Sequence, residues 1–586
     1  MLLQALVEYA EKNLTSQLSN PEFETKPVPY LLDIALTGEF LGIIPRFQEV
    51  QRGKKKFTQP QPLLVPKSPV NRNSGLHPLL AADDAKYVLG DGSWSQKEGA
   101  SERNAELNGA FIARLKDAAT ATGDLELAAC AAFYDDESRV EAARAKLEEL
   151  KPAPGSMVAL SVGQRPVVNS VAARQYWADH FSKAFAVRND KGGLGMCLIS
   201  GRYGPIAPTH EMIKGLSSLG GQPSGVALMS FDKAAFRSYG WEKNANSPVS
   251  PGRAQAYVLA LNDLIRSGSN PSRVDQNGVG YLFWTKLPAS DVLDFESIMR
   301  PTAERVKALL KPDPGAADLQ ANDFYMLGVS GNGARMLIRF WMHETLGNVI
   351  RNLAGWFSGL KIIDPFRGEI SQPPAIWQLL QTLSRDKSPP QCGVQILRRA
   401  LEGTPLGNNI LALAMGRLRV EQGANRLNAV RAGLVRLCVN DIEKGAIIMS
   451  EKLDDSQRDP AYLCGRLLAV YDYLQYKAQG ELNSSVADRY YTLASSYPAL
   501  AFPKASDLGL KHLRKLRRIN YGLMVNIDKQ IQEIHGLLAM QGAQFPGRLS
   551  LVDQGKFAIG FHHQRANYFQ STKSEQPEQT EFKENL

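Results

Sequence analysis

The chain has 586 residues, of which 44% are hydrophobic and 22% are charged. This composition is ordinary for a globular protein and excludes a wholly disordered, collagen-like or coiled-coil chain. The 68 basic and 59 acidic residues leave a net charge of +9, which is compatible with nucleic-acid binding but does not require it.

The start of the chain and its cysteines indicate the compartment. The first 14 residues predict a short helix, because Glu8 and Glu11 interrupt the apolar run that a signal peptide needs. No segment approaches the roughly 20 apolar residues that span a bilayer. The five cysteines show no CxxC spacing, so we expect reduced thiols and no zinc site. We therefore expect a soluble, cytoplasmic protein with no membrane contact.

Residues 1–365 mix short β-like runs with turns and helices. Their β-branched and aromatic content predicts strands at 196–200, 226–231 and 281–286. The stretch 101–150 is rich in helix-forming residues and predicts a two-helix insertion. Residues 326–343 predict a strand, a Gly/Asn turn and a helix that starts near Ala334.

Three prolines within 364–374 predict the main domain boundary, with a linker at 366–375. From 376 to 570 almost every residue is compatible with helices, including 376–383, 394–402 and 408–422. The expected fold class is therefore α+β: a large mixed N-terminal α/β region followed by an all-α helical-bundle C-terminal domain. The polar segment 571–586 predicts a disordered tail.

Catalytic motifs are missing from the sequence. It contains no GxxxxGKS/T phosphate loop, no HExxH, no GxGxxG and no GxSxG. The only histidine pair is His562-His563, for which we expect one packed and one exposed ring. We expect no catalytic residue, no metal and no cofactor, and therefore a binding or scaffold protein rather than an enzyme.

Three basic or glycine-rich segments are candidates for nucleic-acid contact. In the first, lysines suited to phosphate precede side chains suited to base edges, although a solvated loop explains it equally well. Its residues are Lys54, Lys55, Lys56, Asn71, Arg72, Asn73 and Ser74.

The second segment is the glycine-rich run 214–225, which carries Lys214 and Gln222 and has an ordinary turn as its alternative. The third is a basic ridge at helical spacing, with Leu510, Leu513 and Leu516 expected on the opposite face. A solvated helix face is its alternative. The ridge consists of Lys511, Arg514, Lys515 and Arg518.

Several blocks of the sequence closely resemble the large subunit of the subtype I-C CRISPR Cascade complex, the Csd-one (Cas-eight-c) family. The blocks include VPKSPVNRNSG (65–75), CLISGRYGPIAPTHEMIKGL (197–216), VSGNGARMLIRFW (329–341) and QGKFAIGFHHQR (554–565). The chain departs from the family pattern at Ser330–Arg335 and at His210-Glu211. The resemblance covers almost the whole length; the 101–150 helices are its least recognisable part.

The resemblance implies a subunit of an RNA-guided surveillance complex. Such a subunit would recognise the protospacer-adjacent motif in target double-stranded DNA, assist unwinding and R-loop formation, hold the displaced strand and recruit a helicase-nuclease. Its partners would be the CRISPR RNA ribonucleoprotein, with its backbone and crRNA-processing subunits, and small subunits made by internal translation. Met449 is the candidate start of such a small-subunit-like product.

Two alternatives remain open from the sequence. One is a metal-dependent nuclease with an unrecognised site, for which Asp83, Asp84, Asp232 and Glu242 are scattered candidate acids. The other is a scaffold subunit that does not contact DNA.

Overall fold

The computed structural model describes residues 1–52, 55–70, 72, 75–94, 101–190, 192–266, 273–276, 278–287, 321–384, 390–421, 427–445, 448–480, 483–540, 542 and 545–574. The chain forms two compact units. The first comprises residues 1–215 and 223–263, and the second comprises 216–222 and 264–586. The predicted α+β class is confirmed, with an N-terminal α/β region and an all-helical C-terminal region.

A five-stranded sheet lies in the first unit. Its order is β3-β2-β8-β7 with β9 paired to β8, and β2 and β8 run parallel. Three further pairs, β1–β6, β4–β5 and β10–β11, are antiparallel. The strands are β1 (Phe23–Pro27), β2 (Tyr30–Ile34), β3 (Phe40–Pro45), β4 (Phe47–Arg52), β5 (Lys55–Pro60), β6 (Pro62–Pro66), β7 (Ala82–Asp84), β8 (Met157–Val162), β9 (Arg165–Pro166), β10 (Leu194–Met196) and β11 (Tyr203–Pro205).

Helices pack against this sheet through apolar side chains such as Phe111, Phe133, Leu147 and Trp177, all of which are buried in one core. The segment 101–150 forms three helices, not the two predicted. The helices are α1 (Leu2–Asn13), α2 (Thr15–Ser19), α3 (Ala85–Val88), α4 (Ser101–Thr122), α5 (Leu125–Phe133), α6 (Glu137–Glu149), α7 (Val171–Asp190) and α8 (Pro251–Ile265).

The second unit combines an antiparallel sheet with helices around a single core. The sheet order is β12-β13-β14-β15. The strands are β12 (Arg273–Gln276), β13 (Val279–Thr285), β14 (Asp323–Asn332) and β15 (Arg335–Thr345). The helices are α9 (Leu346–Leu360), α10 (Ile376–Leu383), α11 (Pro390–Glu402), α12 (Asn408–Val420), α13 (Ala429–Glu443), α14 (Pro460–Gln479), α15 (Val486–Ala494), α16 (Pro498–Ile519), α17 (Tyr521–Ala539) and α18 (Leu551–Ser574).

Several local predictions meet different outcomes. The strand at 281–286 is confirmed as β13, and the helix at 376–383 as α10. The strand predicted at 226–231 is wrong, because Val226 makes only an isolated bridge to Ile213. The strand predicted at 196–200 is wrong beyond Met196, where β10 ends. The helix predicted from Ala334 is also wrong, because Arg335–Thr345 forms strand β15.

The two units divide inside the last turn of α8, about 100 residues before the expected linker at 366–375. The physical reason is the core of the second unit. Phe324, Met326 and Phe340 of the sheet belong to the same apolar cluster as the C-terminal helices. Ile362 and Ile363, just before the expected linker, are also buried in that cluster.

Helices α14 and α18 form the centre of the second unit at very short separation. A Cβ atom at Gly465 would overlap the carbonyl oxygen of Phe557, and one at Gly560 would overlap that of Tyr462. Glycine at both positions lets the two backbones touch. Helix α18 runs to Ser574, and the remainder of the expected tail, 575–586, lies outside the described residues.

Arg436 on α13 hydrogen-bonds to the segment at Met449 and Ser450, which precedes α14. Its guanidinium donates hydrogen bonds to five backbone carbonyl oxygens, two of them at Met449 and Ser450. Asn440 accepts a hydrogen bond from the Met449 N–H at 2.8 Å. Burial lowers the pKa of Arg436. The carbonyl oxygens beyond Met449 and Ser450 belong to Ser358, Gly359 and Lys361, at the end of α9.

Candidate nucleic-acid interface

The β4–β5 hairpin carries the first group of predicted lysines. Arg52 pairs with Lys55 in its antiparallel register. Lys56 is exposed, and its Nζ lies 3.2 Å from Glu49 Oε2. Such exposed ion pairs contribute little to stability, so Lys56 can exchange its partner for a phosphate. Lys54 lies outside the described residues, and only the backbone of Lys55 is described.

Arg72 is held inside the first unit by two neighbours. Its Nη2 lies 2.7 Å from each carboxylate oxygen of Asp83, and its guanidinium lies 4.3 Å above the ring centre of Tyr87. Asp83 is fully buried and also accepts hydrogen bonds from the N–H groups of Leu79 and Asp84. Burial raises the pKa of Asp83, and Arg72 and these N–H groups oppose the rise. We call Arg72, Asp83 and Tyr87 the Arg72 clamp.

The Arg72 clamp limits the contact with base edges that the sequence predicts for Arg72. A guanidinium that is bound to a carboxylate and stacked on a ring has fewer N–H groups left for a base edge. The structure therefore favours an anchoring role for Arg72. Asn71, Asn73 and Ser74 lie outside the described residues, so their part of the prediction stays a prediction.

Lys214 belongs to a cluster of lysines in the first unit. Its side chain is exposed, and its backbone N–H donates to Asn262 at 2.8 Å. Burial would raise the pKa of Glu24, but Lys26, Lys214 and Lys67 together lower it below the usual range. Glu24 thus already offsets part of the positive charge in this cluster. Lys214 is a weaker candidate for phosphate contact than an unneutralised lysine.

Gln222 sits on a rigid backbone platform in the second unit. Its N–H donates to the carbonyl oxygen of Gly333 at 2.9 Å, and the Gly333 N–H donates to Gly220 at 3.1 Å. A Cβ at Gly331 would overlap the backbone nitrogen of Gly221, so the close approach of the turn to the β14–β15 hairpin requires glycine at position 331. Within the described residues, the side-chain amide of Gln222 has no hydrogen-bond partner.

The end of the β14–β15 hairpin adds polar side chains that the sequence analysis did not select. Asn332 and Arg335 face each other in the strand register, and both are exposed. Arg339 donates a hydrogen bond to the Ser330 hydroxyl at 2.8 Å. An amide and an arginine flanking a glycine turn were the available signal in the sequence. We call Gln222, Asn332 and Arg335 the amide turn.

The basic ridge lies on α16 as predicted from its spacing. Lys511, Arg514, Lys515 and Arg518 are all exposed, and no carboxylate among the described residues lies within 4 Å of any of them. Leu516 is buried and Leu513 packs against the core, but Leu510 is 54% exposed, so its expected place in the bundle is wrong. Lys504 and Arg517 on the same helix are also exposed.

The comparisons with known proteins decide the family. A family model described as CRISPR-associated protein (Cas_Csd1) matches residues 6–569. The chain belongs to this family. Among curated proteins, none matches the chain.

In this Csd1 family member, the acids considered for a nuclease have structural partners and do not converge. Asp83 belongs to the Arg72 clamp, and Asp84 caps the start of α3. Asp232 accepts a hydrogen bond from the Ser230 hydroxyl at 2.7 Å, and Glu242 lies 3.8 Å from Arg237. The described residues contain no group of three or more potential ligands that could hold a metal ion.

Both rings of the histidine pair are buried, so the expected exposure of one of them is wrong. His562 contacts the Ile363 carbonyl oxygen at 2.7 Å, and His563 contacts the Tyr462 hydroxyl at 3.0 Å. Burial lowers the pKa of His562 to about 4 and that of His563 well below its usual value. The two rings are therefore neutral packing groups of the second unit. Among the helices of the described residues, none has the length and apolar character to cross a membrane.

Proposed function

We propose that the chain is the large subunit of a subtype I-C RNA-guided surveillance complex, in which it recognises the protospacer-adjacent motif and stabilises the R-loop. The family match supports a CRISPR-associated role. The observation that carries DNA binding is the α16 ridge, because its four cations are exposed and, among the described residues, none of them lies within 4 Å of a carboxylate. Unneutralised cations on one helix face attract phosphates, and binding releases the counterions condensed on DNA.

The amide turn is the best-supported reader of the motif. Gln and Asn side chains form paired hydrogen bonds with adenine, and Arg does so with guanine. The Gln222 amide is available, and its backbone is held by the glycine contacts described above. A reader on a rigid backbone loses little conformational entropy on binding. The Arg72 clamp would anchor the first basic segment, while Lys54–Lys56 would contact phosphates.

The decisive experiment uses the assembled complex with guide RNA and two target duplexes, one with the correct motif and one with a changed motif. Replacing Gln222 by Ala should reduce discrimination between the duplexes about tenfold, since a paired base contact contributes about 1–3 kcal/mol. The exposed Gln4 on α1 provides the matched control. Full discrimination by the Gln222→Ala complex would place the reader elsewhere.

The lysines of the β4–β5 hairpin should behave differently. Replacing Lys54, Lys55 and Lys56 by Ala should weaken binding to both duplexes alike. The slope of log affinity against log salt should fall by about 0.9 for each phosphate that the variant no longer neutralises. Unchanged affinity and slope would remove the hairpin from the interface.

Within this proposal the chain does not cut DNA. It would recruit a separate helicase-nuclease, assemble with the backbone and crRNA-processing subunits, and act beside small subunits produced by internal translation. Incubation of the purified chain with duplex DNA and Mg²⁺ or Mn²⁺ tests this point. Cleavage that a single carboxylate substitution abolishes would establish the nuclease alternative instead.

A further inference from the structure

An exposed aromatic residue follows directly after the basic ridge. Helix α16 ends at Ile519, and Tyr521 is the first residue of α17. Tyr521 is 61% exposed and follows the exposed Arg517 and Arg518 by four and three residues in the sequence. This exposure leaves the ring accessible to an external partner.

The turn between α16 and α17 is held by a helix cap and by buried residues on both sides. Asn520 is the only residue between α16 and α17, and its side-chain oxygen accepts a hydrogen bond from the Leu523 N–H at 2.9 Å. This N-cap fixes where α17 begins. Leu516, one turn before Asn520, and Ile527, two turns after it, are both buried in the core. The backbone that carries Tyr521 is therefore held in place before any ligand arrives.

Charge and aromatic surface at this corner suit different parts of a single strand. The ridge from Lys511 to Arg518 extends about 10 Å along the helix axis, enough to follow several phosphates of one strand. Cations alone attract single and double strands alike. An aromatic ring adds stacking, which only an unpaired base can accept.

We propose that Tyr521 stacks on an unpaired nucleobase of a strand whose phosphates lie along the α16 ridge. The pairing of ring and ridge makes the surface selective for single-stranded over double-stranded nucleic acid. The inference rests on the proposed function in one respect, namely that the ridge binds nucleic acid. Ile519 and Val525 are exposed at the same corner, and a protein partner for them is the competing outcome of the test.

Binding of the full-length chain to a labelled single-stranded DNA 20-mer and to the corresponding duplex tests the proposal by fluorescence anisotropy. Replacing Tyr521 by Ala should weaken single-strand binding about tenfold and leave duplex binding unchanged. Tyr521→Phe should retain most of the affinity, because the ring provides the stacking. Tyr476→Ala is the matched control, since this tyrosine on α14 is 53% exposed.

A second variant gives a direct signal. Tyr521→Trp should bind single strands at least as well, and the fluorescence that it adds to that of the seven native tryptophans should be quenched by single-stranded but not by double-stranded DNA. Quenching that is equal with both ligands would overturn the stacking proposal.

The source of the base is tested in the assembled complex. If the base belongs to the displaced DNA strand, abasic sites in that strand should reduce R-loop stability, and Tyr521→Ala should add nothing further. If it belongs to RNA, the effect of Tyr521→Ala should appear instead with a single-stranded RNA of the same sequence.

The failure of the inference is distinguishable from that of the proposed function. Charge reversal at Lys511 and Arg518 should weaken the binding of both the single-stranded and the double-stranded DNA. If it does so while Tyr521→Ala has no effect, the stacking proposal fails and ridge binding stands. If neither change affects binding, both fail. If Tyr521→Ala removes a protein subunit from the complex and leaves DNA affinity unchanged, the corner is a protein contact and the proposal is overturned.

Discussion

The Arg72 clamp allows a sharp test of anchoring against base reading. Replacing Arg72 by Met removes the cation that lies 2.7 Å from both oxygens of Asp83. The Asp83 side chain is 1% exposed and that of Arg72 is 24% exposed. Removing one partner of a buried ion pair costs about 3–5 kcal/mol, and the partial exposure of Arg72 places this pair at the lower end, about 3 kcal/mol. We expect the free energy of unfolding of the first unit to fall by that amount.

The assay should report on the first unit alone. Hydrogen exchange of the amides of Leu79 and Asp84, which donate to Asp83, follows the site directly. The double variant Arg72→Met/Asp83→Asn should recover most of the stability, since it leaves no unpaired charge. Arg165→Met is the control, because that arginine is exposed and its pairing with Glu126 lies on the surface.

Base reading makes the opposite prediction for the same variant. If Arg72→Met leaves exchange and unfolding unchanged but abolishes discrimination between DNA motifs, the anchoring argument is refuted and Arg72 reads bases. If Arg72 is an anchor, any discrimination between DNA motifs that Arg72→Met loses should return in the double variant together with the stability.

Three further predictions concern the second unit. Gly465→Ala should destabilise this unit by at least about 2 kcal/mol, because the added methyl group overlaps backbone atoms of α18. Gly536→Ala has open space around it and should stabilise the unit by up to about 1 kcal/mol. Thermal melting of the two variants and the wild type measures both changes. Between about pH 7.5 and 5, the unfolded state protonates its histidines near pH 6.5 while the buried His562 stays neutral, so His562 alone should lower the unfolding free energy by about 2 kcal/mol. His563, whose pKa is also lowered, adds to this fall, so in urea titrations the fall should be smaller by about 2 kcal/mol in His562→Asn but should not vanish. Arg436→Met should lower the unfolding free energy by about 3–5 kcal/mol in the same titrations, because five carbonyl oxygens lose their donor; a decrease smaller than about 1 kcal/mol would contradict this.

Strand β15 shows why local structure was only partly predictable. Gly328 and Val329 of β14 pair with Phe340 and Ile338 of β15, so Arg339 is left out of the register as a bulge. Met336 and Phe340 are buried while Ile338 between them is exposed, so the buried positions recur every four residues, as in a helix, and do not alternate. Helix α10 has no such irregularity, and its apolar spacing predicted its bounds.

The sequence predicted which residue types could contact nucleic acid, but not which of them lie close together in the fold. The α16 ridge follows from helical spacing alone, so its exposed face could be derived. Arg72 could not be placed, because its partner Asp83 lies 11 residues further along the chain, in strand β7. Gln222 was selected as part of a glycine run, whereas Asn332 and Arg335 adjoin it only through pairings between segments about 100 residues apart.

Contacts between α18 and the helices before Met449 determine what a product started at Met449, as the proposed function includes, would lose. Gly555 on α18 faces Val439, Leu411 and Val435, all of which precede Met449. Lys556 is paired with Glu443, which also precedes it. A product that begins at Met449 lacks these neighbours and leaves one apolar flank in water. Within the proposed function, a product translated from Met449 would therefore need other subunits to cover this flank. Expressed alone it should aggregate, and co-expressed with its complex it should remain soluble.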